Sequence, residues 1–310
     1  MKIIFFGSSR FSLPVVEALL ERHEIAAVVT TPPKPKGRKG ALSPSPVAEF
    51  ARARSIFILE PQKVGEAEEA LQKLGADIGI VASFGKIIPE NILRIPPLGV
   101  INVHPSLLPK WRGPSPIQSA LLAGERETGI TIHITTAKVD AGGILGQVKV
   151  PILPDETYLE LEEKLSREGA RLLLDILPRV AAGSVEPYPQ DEDAATYSKR
   201  IATEDGKIDW HDSAEKIFNQ IRALNPEPGT FTFVENANGA TKRLIISQAR
   251  READGENSAP GTVSLHKDKC KIAARVGYII PLEIQIEGKK KTDIASFLKG
   301  NPWLIGKRVR

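Results

Sequence analysis

Residues 2–7 read KIIFFG, a short apolar run that ends at a glycine. An apolar run without polar alternation is typical of a strand that is covered on both faces. Similar runs alternate with helix-like segments further along the chain, which predicts βαβ units. The predicted strands cover 2–6, 24–30, 77–82, 98–103, 129–135 and 144–152, and the predicted helices cover 11–23, 64–74 and 115–123. The first half of the chain is therefore predicted to be an α/β domain with a doubly wound, mostly parallel sheet.

The carboxyl end of the predicted strand 98–103 is the expected ligand site. In doubly wound sheets, ligands lie beyond the carboxyl ends of the strands, where the strand order reverses. This strand is the fourth to be predicted in the chain, and Asn102 and His104 stand at its end. In the common strand order we expect it to lie beside the first strand, with both side chains at the ligand crevice.

The sequence NVHPSLLP at residues 102–109 carries the polar groups of this site. Asn102 and His104 are two positions apart, so in a strand their side chains share one face. A side-chain amide stabilises a developing oxyanion, and an imidazole moves protons near neutral pH. Asp140 follows in a predicted loop, where its carboxylate is placed to orient His104. The three residues predict group transfer through a tetrahedral intermediate, without a metal or a nucleophilic thiol.

The turn after the first strand does not match a dinucleotide-binding loop. Residues 7–12 read GSSRFS, with one glycine where the fingerprint has three. NAD is therefore excluded as a cofactor on this pattern. Gly7 is explained by the tight turn, and Ser12 is predicted to cap the N-terminus of the helix that follows.

The composition is that of a soluble globular protein with room for two domains. The chain has 310 residues, of which 41% are hydrophobic and 26% charged. It has neither a long apolar run nor a cleavable leader, so we expect a cytoplasmic protein without membrane contact. A single cysteine, Cys270, excludes an internal disulfide, and with five histidines it argues against a structural zinc site.

The second half of the chain has a different pattern. A long helix is predicted over 155–182, a proline-rich and charged linker over 184–205, and one more helix over 213–224. Five short β segments follow, at 229–234, 243–248, 261–265, 271–274 and 278–285, which favours a small OB-type barrel. Residues 201–310 also hold 18 basic against 14 acidic residues, which accounts for the net charge of +4. This excess fits a polyanionic partner or, equally, a solvated basic face.

Two further segments border the expected site. Residues 30–40 read TTPPKPKGRKG, which predicts a mobile basic loop suited to phosphates, with a solvated loop as the alternative. Its basic residues are Lys34, Lys36, Arg38 and Lys39. Residues 106–114 predict an apolar segment rich in turns that borders the site. Within it, Arg112 could instead be a solvated surface charge.

These residues resemble the folate-dependent formyltransferases. Asn102, His104 and Asp140 match the catalytic trio of that family, and its folate-site signature matches Ser106, Leu107, Leu108 and Pro109. The resemblance runs nearly end to end and includes PSPV at 44–47, ETG at 127–129, IDW at 208–210, RALNP at 222–226 and PGTV at 260–263. The chain departs from the pattern at Pro105, where many tRNA-acting members have glycine, and at Glu227, where an aromatic residue is common.

The resemblance implies a Rossmann-like formyltransferase domain over 1–183, a linker over 184–205 and a C-terminal OB-like, tRNA-binding β-barrel domain over 206–310. It implies 10-formyltetrahydrofolate as the formyl donor, the amino group of methionyl initiator tRNA as the acceptor, and no metal. The basic residues of the loop at 30–40 are implied to contact the tRNA. We expect a monomer.

The mechanism expected at this stage is direct transfer, with Asn102 and a protonated His104 stabilising the oxyanion and Asp140 supporting His104. Several alternatives stay open. The acceptor could be another amine, carried by a sugar nucleotide or by glycinamide ribonucleotide. Water in place of the amine would make the protein a formyltetrahydrofolate hydrolase. A non-enzymatic alternative is an RNA-binding protein built on an inactive scaffold.

Overall fold

The computed structural model describes residues 1–36, 41–253, 258–267 and 269–310. The chain divides into two compact units. The first unit comprises Met1–Pro116, Glu127–Ile152 and Leu159–Lys199, and the second comprises Ile117–Arg126, Leu153–Tyr158 and Arg200–Arg310. The segment predicted as a linker, 184–205, is thus divided between the two units after Lys199. Among the described helices, none has the length and apolar content needed to cross a membrane.

Residues 1–181 contain nine of the described strands and six of the described α-helices. The strands are β1 (Lys2–Gly7), β2 (Glu24–Val29), β3 (Lys34–Lys36), β4 (Ala41–Ser43), β5 (Ile58–Leu59), β6 (Ile78–Ala82), β7 (Val100–His104), β8 (Glu127–Ile134) and β9 (Ile144–Pro151). The helices are α1 (Ser12–Leu20), α2 (Pro46–Ala53), α3 (Glu68–Leu74), α4 (Glu90–Leu93), α5 (Pro116–Leu122) and α6 (Tyr158–Ala181).

The main sheet of the first unit has the order β5-β2-β1-β6-β7-β8-β9. Its strands are parallel from β5 to β7, whereas β8 and β9 are antiparallel to their neighbours. The predicted mostly parallel, doubly wound sheet is confirmed. The expectation that the strand ending in His104 lies beside the first strand is wrong, because β6 lies between β1 and β7. The two-residue strand β5 is too short to produce a sequence pattern, so it was missing from the expected strand order.

The apolar runs of the strands form the core of the first unit. The side chains of Ile3, Ile4, Phe5 and Phe6 in β1 are each at most 1% exposed, as expected for a central strand covered on both faces. On one face, Ile4 and Phe6 belong to a cluster with Leu71, Ile92 and Val100. Burying a large apolar side chain contributes about 1.5–3 kcal/mol, so this row of side chains anchors the sheet.

Two local predictions in the first unit are wrong. Ser12 does not cap α1: its hydroxyl instead donates a hydrogen bond to the carbonyl oxygen of Ala82, 2.6 Å away at the end of β6. The basic loop was predicted without secondary structure, but β3 and β4 pair as an antiparallel hairpin in which Lys34 lies opposite Ser43. Main-chain hydrogen bonds between strands do not depend on side-chain polarity, which is why the pattern missed this hairpin.

The second unit contains a small antiparallel β domain. Its elements are α7 (Ala214–Leu224), β10 (Phe231–Glu235), β11 (Thr241–Glu252), β12 (Val263–His266), β13 (Lys269–Ala273), β14 (Tyr278–Ile286), β15 (Thr292–Asp293) and α8 (Ile294–Gly300). The sheet has the order β10-β11-β14-β13-β12, with β15 paired to β14. Trp210, Phe218 and Leu244 are buried in its apolar core. The predicted antiparallel strands are present, whereas β15 and α8 were not predicted.

Candidate active site

The three residues predicted to be catalytic lie together at the carboxyl end of β7. Asn102 and His104 lie two positions apart at the end of that strand, and Asp140 comes from the connection between β8 and β9. Nδ2 of Asn102 donates to Oδ1 of Asp140 at 3.4 Å, and Nδ1 of His104 lies 3.7 Å from Oδ2 of Asp140. The structure therefore brings an amide, an imidazole and a carboxylate into one cluster.

His133 is a fourth member of this cluster, and the sequence analysis missed it. It lies directly opposite Asn102 in the antiparallel pairing of β7 with β8. Its Nε2 is 3.1 Å from Nδ2 of Asn102 and 3.6 Å from Oδ1 of Asp140. The sequence did offer a signal, because a histidine stood within the predicted strand 129–135. Using that signal required the pairing register, which the sequence alone does not provide.

Backbone carbonyls determine which nitrogen of each imidazole carries a hydrogen. Nδ1 of His133 is 2.9 Å from the carbonyl oxygen of Ile134, and Nε2 of His104 is 3.1 Å from that of Trp111. A carbonyl only accepts, so each of these nitrogens must be the donor. Nε2 of His133 is then free to accept a hydrogen bond from Asn102. In the neutral His104 ring, the lone pair is on Nδ1, toward Asp140.

Burial and neighbouring charges set the protonation of the cluster. Burial lowers the pKa of His104, and Asp140 opposes this effect only in part. Burial alone would raise the pKa of Asp140, but His104, His133 and the N–H of Gly113 outweigh it and hold that pKa well below its usual range. At neutral pH the site therefore holds an ionised carboxylate beside a neutral imidazole. The ring of His104 is only 4% exposed, and its protonation while the oxyanion is stabilised stays a prediction.

A turn at residues 111–113 contacts the side chains of His104 and Asp140. The carbonyl of Trp111 accepts from His104, while the backbone N–H of Gly113 donates to Oδ2 of Asp140 at 2.7 Å. Trp111 and Gly113 have φ angles of +58° and +107°, and a side chain at Gly113 would lie 2.9 Å from the carbonyl oxygen of Ser198. Only glycine fits there, because of both the angle and the space.

Arg112, at the centre of this turn, is fully buried, so the reading of it as a solvated surface charge is wrong. Its guanidinium donates to Oε1 of Gln190 from Nε at 3.0 Å and from Nη2 at 2.8 Å. It also forms a two-point ion pair with the carboxylate of Glu192, at 2.8 and 3.2 Å. The hydrogen bond to Glu192 is the main cause that raises the pKa of Arg112. In turn, Arg112 and then Lys138 lower the pKa of Glu192 to about 2.

The four predicted folate-contacting residues form a loop that β8 and β9 hold in place. Ser106 and Leu108 are buried, whereas Leu107 and Pro109 are partly exposed. The hydroxyl of Ser106 donates to the carbonyl of Lys110, and the N–H of Leu108 donates to Oγ1 of Thr131. Ser106 and Leu108 thus stabilise the loop. Of the four predicted residues, Leu107 and Pro109 have surface that a ligand can contact.

The basic residues predicted to bind tRNA are only partly described. Lys34 is exposed at the start of β3, and the backbone of Lys36 lies at its end. Arg38 and Lys39 lie outside the described residues. Among the described contacts, none joins Lys34 to the cluster at the end of β7.

The cluster also groups imidazole nitrogens and a carboxylate oxygen, atoms of the kinds that bind cations. One ligand atom from each of His104, His133 and Asp140 lies within 4.8 Å of the others. The sequence predicts chemistry without a metal, and this stays a prediction. The amide of Asn102 donates to both His133 and Asp140, so in this structure these atoms form a hydrogen-bond network.

An amide, two imidazoles and a carboxylate at the end of a Rossmann-like strand are groups suited to group transfer by direct attack. Residues 1–177 match the formyl transferase family, and residues 200–302 match the formyl transferase C-terminal domain. The methionyl-tRNA formyltransferase of Dictyoglomus turgidum is 41% identical over 313 residues, covering 99% of each chain. That of Listeria monocytogenes is 40% identical over 312 residues, covering 100% of this chain and 98% of its own. The chain belongs to the methionyl-tRNA formyltransferase family.

Solved structures of more distant proteins share the fold. HypX from Aquifex aeolicus, in complex with tetrahydrofolic acid, superposes with a TM-score of 0.67 at 19% identity over 96% of this chain. This chain spans about half the length of HypX, covering 47% of it. An N-formyltransferase from Helicobacter canadensis, in complex with folinic acid and dTDP-3-aminofucose, has a TM-score of 0.66 at 21% identity, covering 91% of this chain and 98% of its own.

Proposed function

We propose that this chain transfers the formyl group of 10-formyltetrahydrofolate to the amino group of methionyl initiator tRNA, for translation initiation. The observation that carries the proposal is the cluster of Asn102, His104, His133 and Asp140 at the end of β7. It offers a donor for an oxyanion and a base for an ammonium proton, the two groups that formyl transfer to an amine requires. The 41% identity to a methionyl-tRNA formyltransferase over 99% of both chains supports the choice of acceptor.

The first step forms a bond between the amine nitrogen and the formyl carbon. Asn102 donates an N–H to the formyl oxygen as it becomes negative. Its bond to His133 is 3.1 Å and fixes the amide, while its bond to Asp140 is the longer one at 3.4 Å. The hydrogen in the longer bond to Asp140 is the one that can switch to the formyl oxygen when that oxygen becomes negative.

The second role belongs to His104, which is neutral at rest and takes the proton that the attacking nitrogen loses. The ionised Asp140 stabilises the imidazolium that results, since Oδ2 lies 3.7 Å from Nδ1. His104 then returns the proton to the departing folate nitrogen as the carbon–nitrogen bond of the donor breaks. The oxyanion collapses to the new amide, and the enzyme regains its starting charges without an acyl-enzyme.

Other parts of the chain are proposed to bind the tRNA and the folate. We propose residues 1–183 as the catalytic domain, 184–205 as the linker and 206–310 as the tRNA-binding domain, with Lys34, Lys36, Arg38 and Lys39 contacting the acceptor stem. The excess of basic residues in 201–310 supports electrostatic binding of tRNA. Leu107 and Pro109 are the proposed folate contacts. We propose a monomer that acts in the cytoplasm.

The decisive experiment offers the purified protein labelled 10-formyltetrahydrofolate with one acceptor at a time. The acceptors are charged initiator tRNA, charged elongator tRNA, glycinamide ribonucleotide, an amino-sugar nucleotide, and none. We expect rapid transfer to the initiator tRNA alone. Faster transfer to another amine would establish one of the alternative acceptors, and release of formate without an acceptor would establish a hydrolase.

The same assay tests the chemistry with His104→Ala. Losing a group that stabilises the transition state costs about 10²- to 10³-fold in rate, so this variant should be nearly inactive while it still binds tRNA. His23→Ala is the control, because His23 lies just before β2, at the opposite end of the sheet. A rate above about a tenth of wild type in His104→Ala would remove His104 from the mechanism. Inactivity of the wild type on every acceptor would favour the RNA-binding scaffold.

A further inference from the structure

Gln190 connects the predicted linker to the loop that carries the catalytic carboxylate. Its Nε2 donates to the carbonyl oxygens of Asp140 and Gly142, both at 2.8 Å. Both hydrogens of the side-chain amide are therefore used on the backbone on either side of Ala141. The contact joins residues 50 positions apart in the sequence, within the first unit.

The loop around Asp140 needs such support. Asp140 has a φ of +49°, in the left-handed region that a residue with a side chain enters at a cost of roughly 1–2 kcal/mol. Gly142 packs so tightly that a side chain there would lie 1.9 Å from the carbonyl oxygen of Ile134. A strained conformation persists only where the surroundings hold it. Gln190 supplies two hydrogen bonds to this backbone.

Arg112 fixes Gln190 in turn. Two guanidinium nitrogens donate to Oε1 of Gln190, which leaves Nε2 as the end of the amide that faces the Asp140 loop. Glu192 balances the buried charge of Arg112 and also pairs with Lys138, which precedes Asp140 in the same connection. The residues on either side of Arg112 contact His104 and Asp140 through their own backbones. A connected set of hydrogen bonds thus runs from Gln190 in the linker to the side chains of His104 and Asp140.

We propose that Gln190 is a positioning residue: held by Arg112, it fixes the backbone at Asp140 so that the carboxylate stays at its working distance from His104. The role rests on the proposed formyl transfer and adds to it a function for the linker segment, which the sequence presented only as a connection. Gln190 does not touch the reacting atoms and acts through Asp140.

The test compares Gln190→Ala and Gln190→Glu with Gln220→Ala. Glutamate keeps the size of the side chain and its acceptor for Arg112, but it loses both amide donors. Gln220 is a matched control, because its Nε2 also donates to two backbone carbonyls, those of Asp205 and Lys207 at 2.7 and 2.9 Å, within the second unit. Each variant is assayed as the full-length chain for formylation of initiator tRNA and for thermal unfolding.

We expect both Gln190 variants to lose about 10- to 100-fold in kcat with KM values for tRNA and folate within about 2-fold of wild type, since small misplacements of catalytic groups have costs of this size. Gln220→Ala should keep the wild-type kcat. A second readout, independent of activity, is the NMR titration of the His104 ring, which Asp140 and His133 face. Its pKa should fall in Gln190→Ala, because a displaced carboxylate opposes the effect of burial less well.

Folded Gln190 variants with more than about half the wild-type kcat and an unchanged His104 titration would overturn the proposal. A loss of kcat that Gln220→Ala shares, or that accompanies a large drop in thermal stability with the titration unchanged, would also overturn it. Failure of the proposed function gives a different result, because wild-type protein would then transfer no formyl group while the titration still reports on Gln190.

Discussion

Replacing Asp140 by Asn removes one charge from the active site, and the new NH2 group takes the place of Oδ1, which accepts from Asn102. Asn has nearly the same shape, tolerates the left-handed φ of +49° at this position, and can still accept the hydrogen bond from the N–H of Gly113. What it cannot do is stabilise an imidazolium at His104. The fold should therefore persist while the chemical step fails.

The size of the effect follows from the geometry. Two unit charges at about 4 Å interact by about 4 kcal/mol at an effective dielectric of 20, and Oδ2 of Asp140 lies 3.7 Å from Nδ1 of His104. Since 1.36 kcal/mol corresponds to a factor of ten, kcat should fall by about 10³-fold. The loss should appear in kcat rather than in KM, because His104 carries its positive charge only after the amine has attacked.

The pH dependence of the rate should also change in Asp140→Asn, in a direction that the charges determine. His104 acts as a base, so the rate rises with pH as this imidazole loses its proton. Asp140 raises the pKa of His104 and burial lowers it. Without the carboxylate, burial acts unopposed and the pKa falls further, which moves the rising limb of the profile to lower pH. Single-turnover formylation between about pH 5 and pH 8 measures both effects.

Asp77→Asn is the matched control for this prediction. Asp77 also accepts a backbone N–H, from Lys2 at 2.6 Å, and it lies just before β6, at the opposite end of the sheet from the cluster. It should leave kcat and the pH profile unchanged. If Asp140→Asn kept more than about a tenth of the wild-type kcat, or if its rising limb stayed in place, the assigned role of Asp140 would be refuted.

Three further outcomes are expected. Changing Lys36, Arg38 and Lys39 to Gln should weaken tRNA use and reduce the slope of log affinity against log salt by about 2 to 3, and an unchanged slope would contradict a role in tRNA binding. Cys270 is buried and its thiol pKa is raised to about 11, so alkylation at pH 8 should be at least about 100-fold slower in the folded protein than after denaturation; equal rates would contradict its burial. Gly129→Ala should lower the free energy of unfolding by about 1–3 kcal/mol in urea titrations, because the added carbon would lie 2.2 Å from the carbonyl oxygen of Val148. Gly65→Ala, with no atom within 4 Å of the added carbon, should unfold like wild type, and a similar midpoint for both variants would count against this explanation.

Features with a local cause could be predicted from the sequence. The buried strand β1 is visible as an apolar run, and the shared face of Asn102 and His104 follows from their spacing in a strand. Asp140 was chosen because a carboxylate in the loop between two predicted strands suits the chemistry of Asn102 and His104. These inferences need only the periodicity of the chain and the direction of its strands.

Features that depend on partners distant in the sequence could not be predicted. The hydroxyl of Ser12 meets a carbonyl 70 positions away, which no local capping rule anticipates. Arg112 is buried because Glu192, 80 positions on, neutralises it. His133 joined the site through strand register. The neutral state of His104 follows from its burial, and burial is a property of the assembled fold.

The pairing of β7 with β8 has a consequence for how this protein can vary. Asn102 faces His133 because backbone hydrogen bonds set the register of two neighbouring strands, and a slip by one residue would turn every side chain of a strand to the other face of the sheet. The register does not depend on the length of the connection from Gly113 to Glu127. Insertions at the exposed residues Ala123 and Arg126 between α5 and β8 are therefore compatible with the pairing of Asn102 and His133, whereas a single deletion inside either strand separates it. Libraries that seek new acceptors should leave both strands intact.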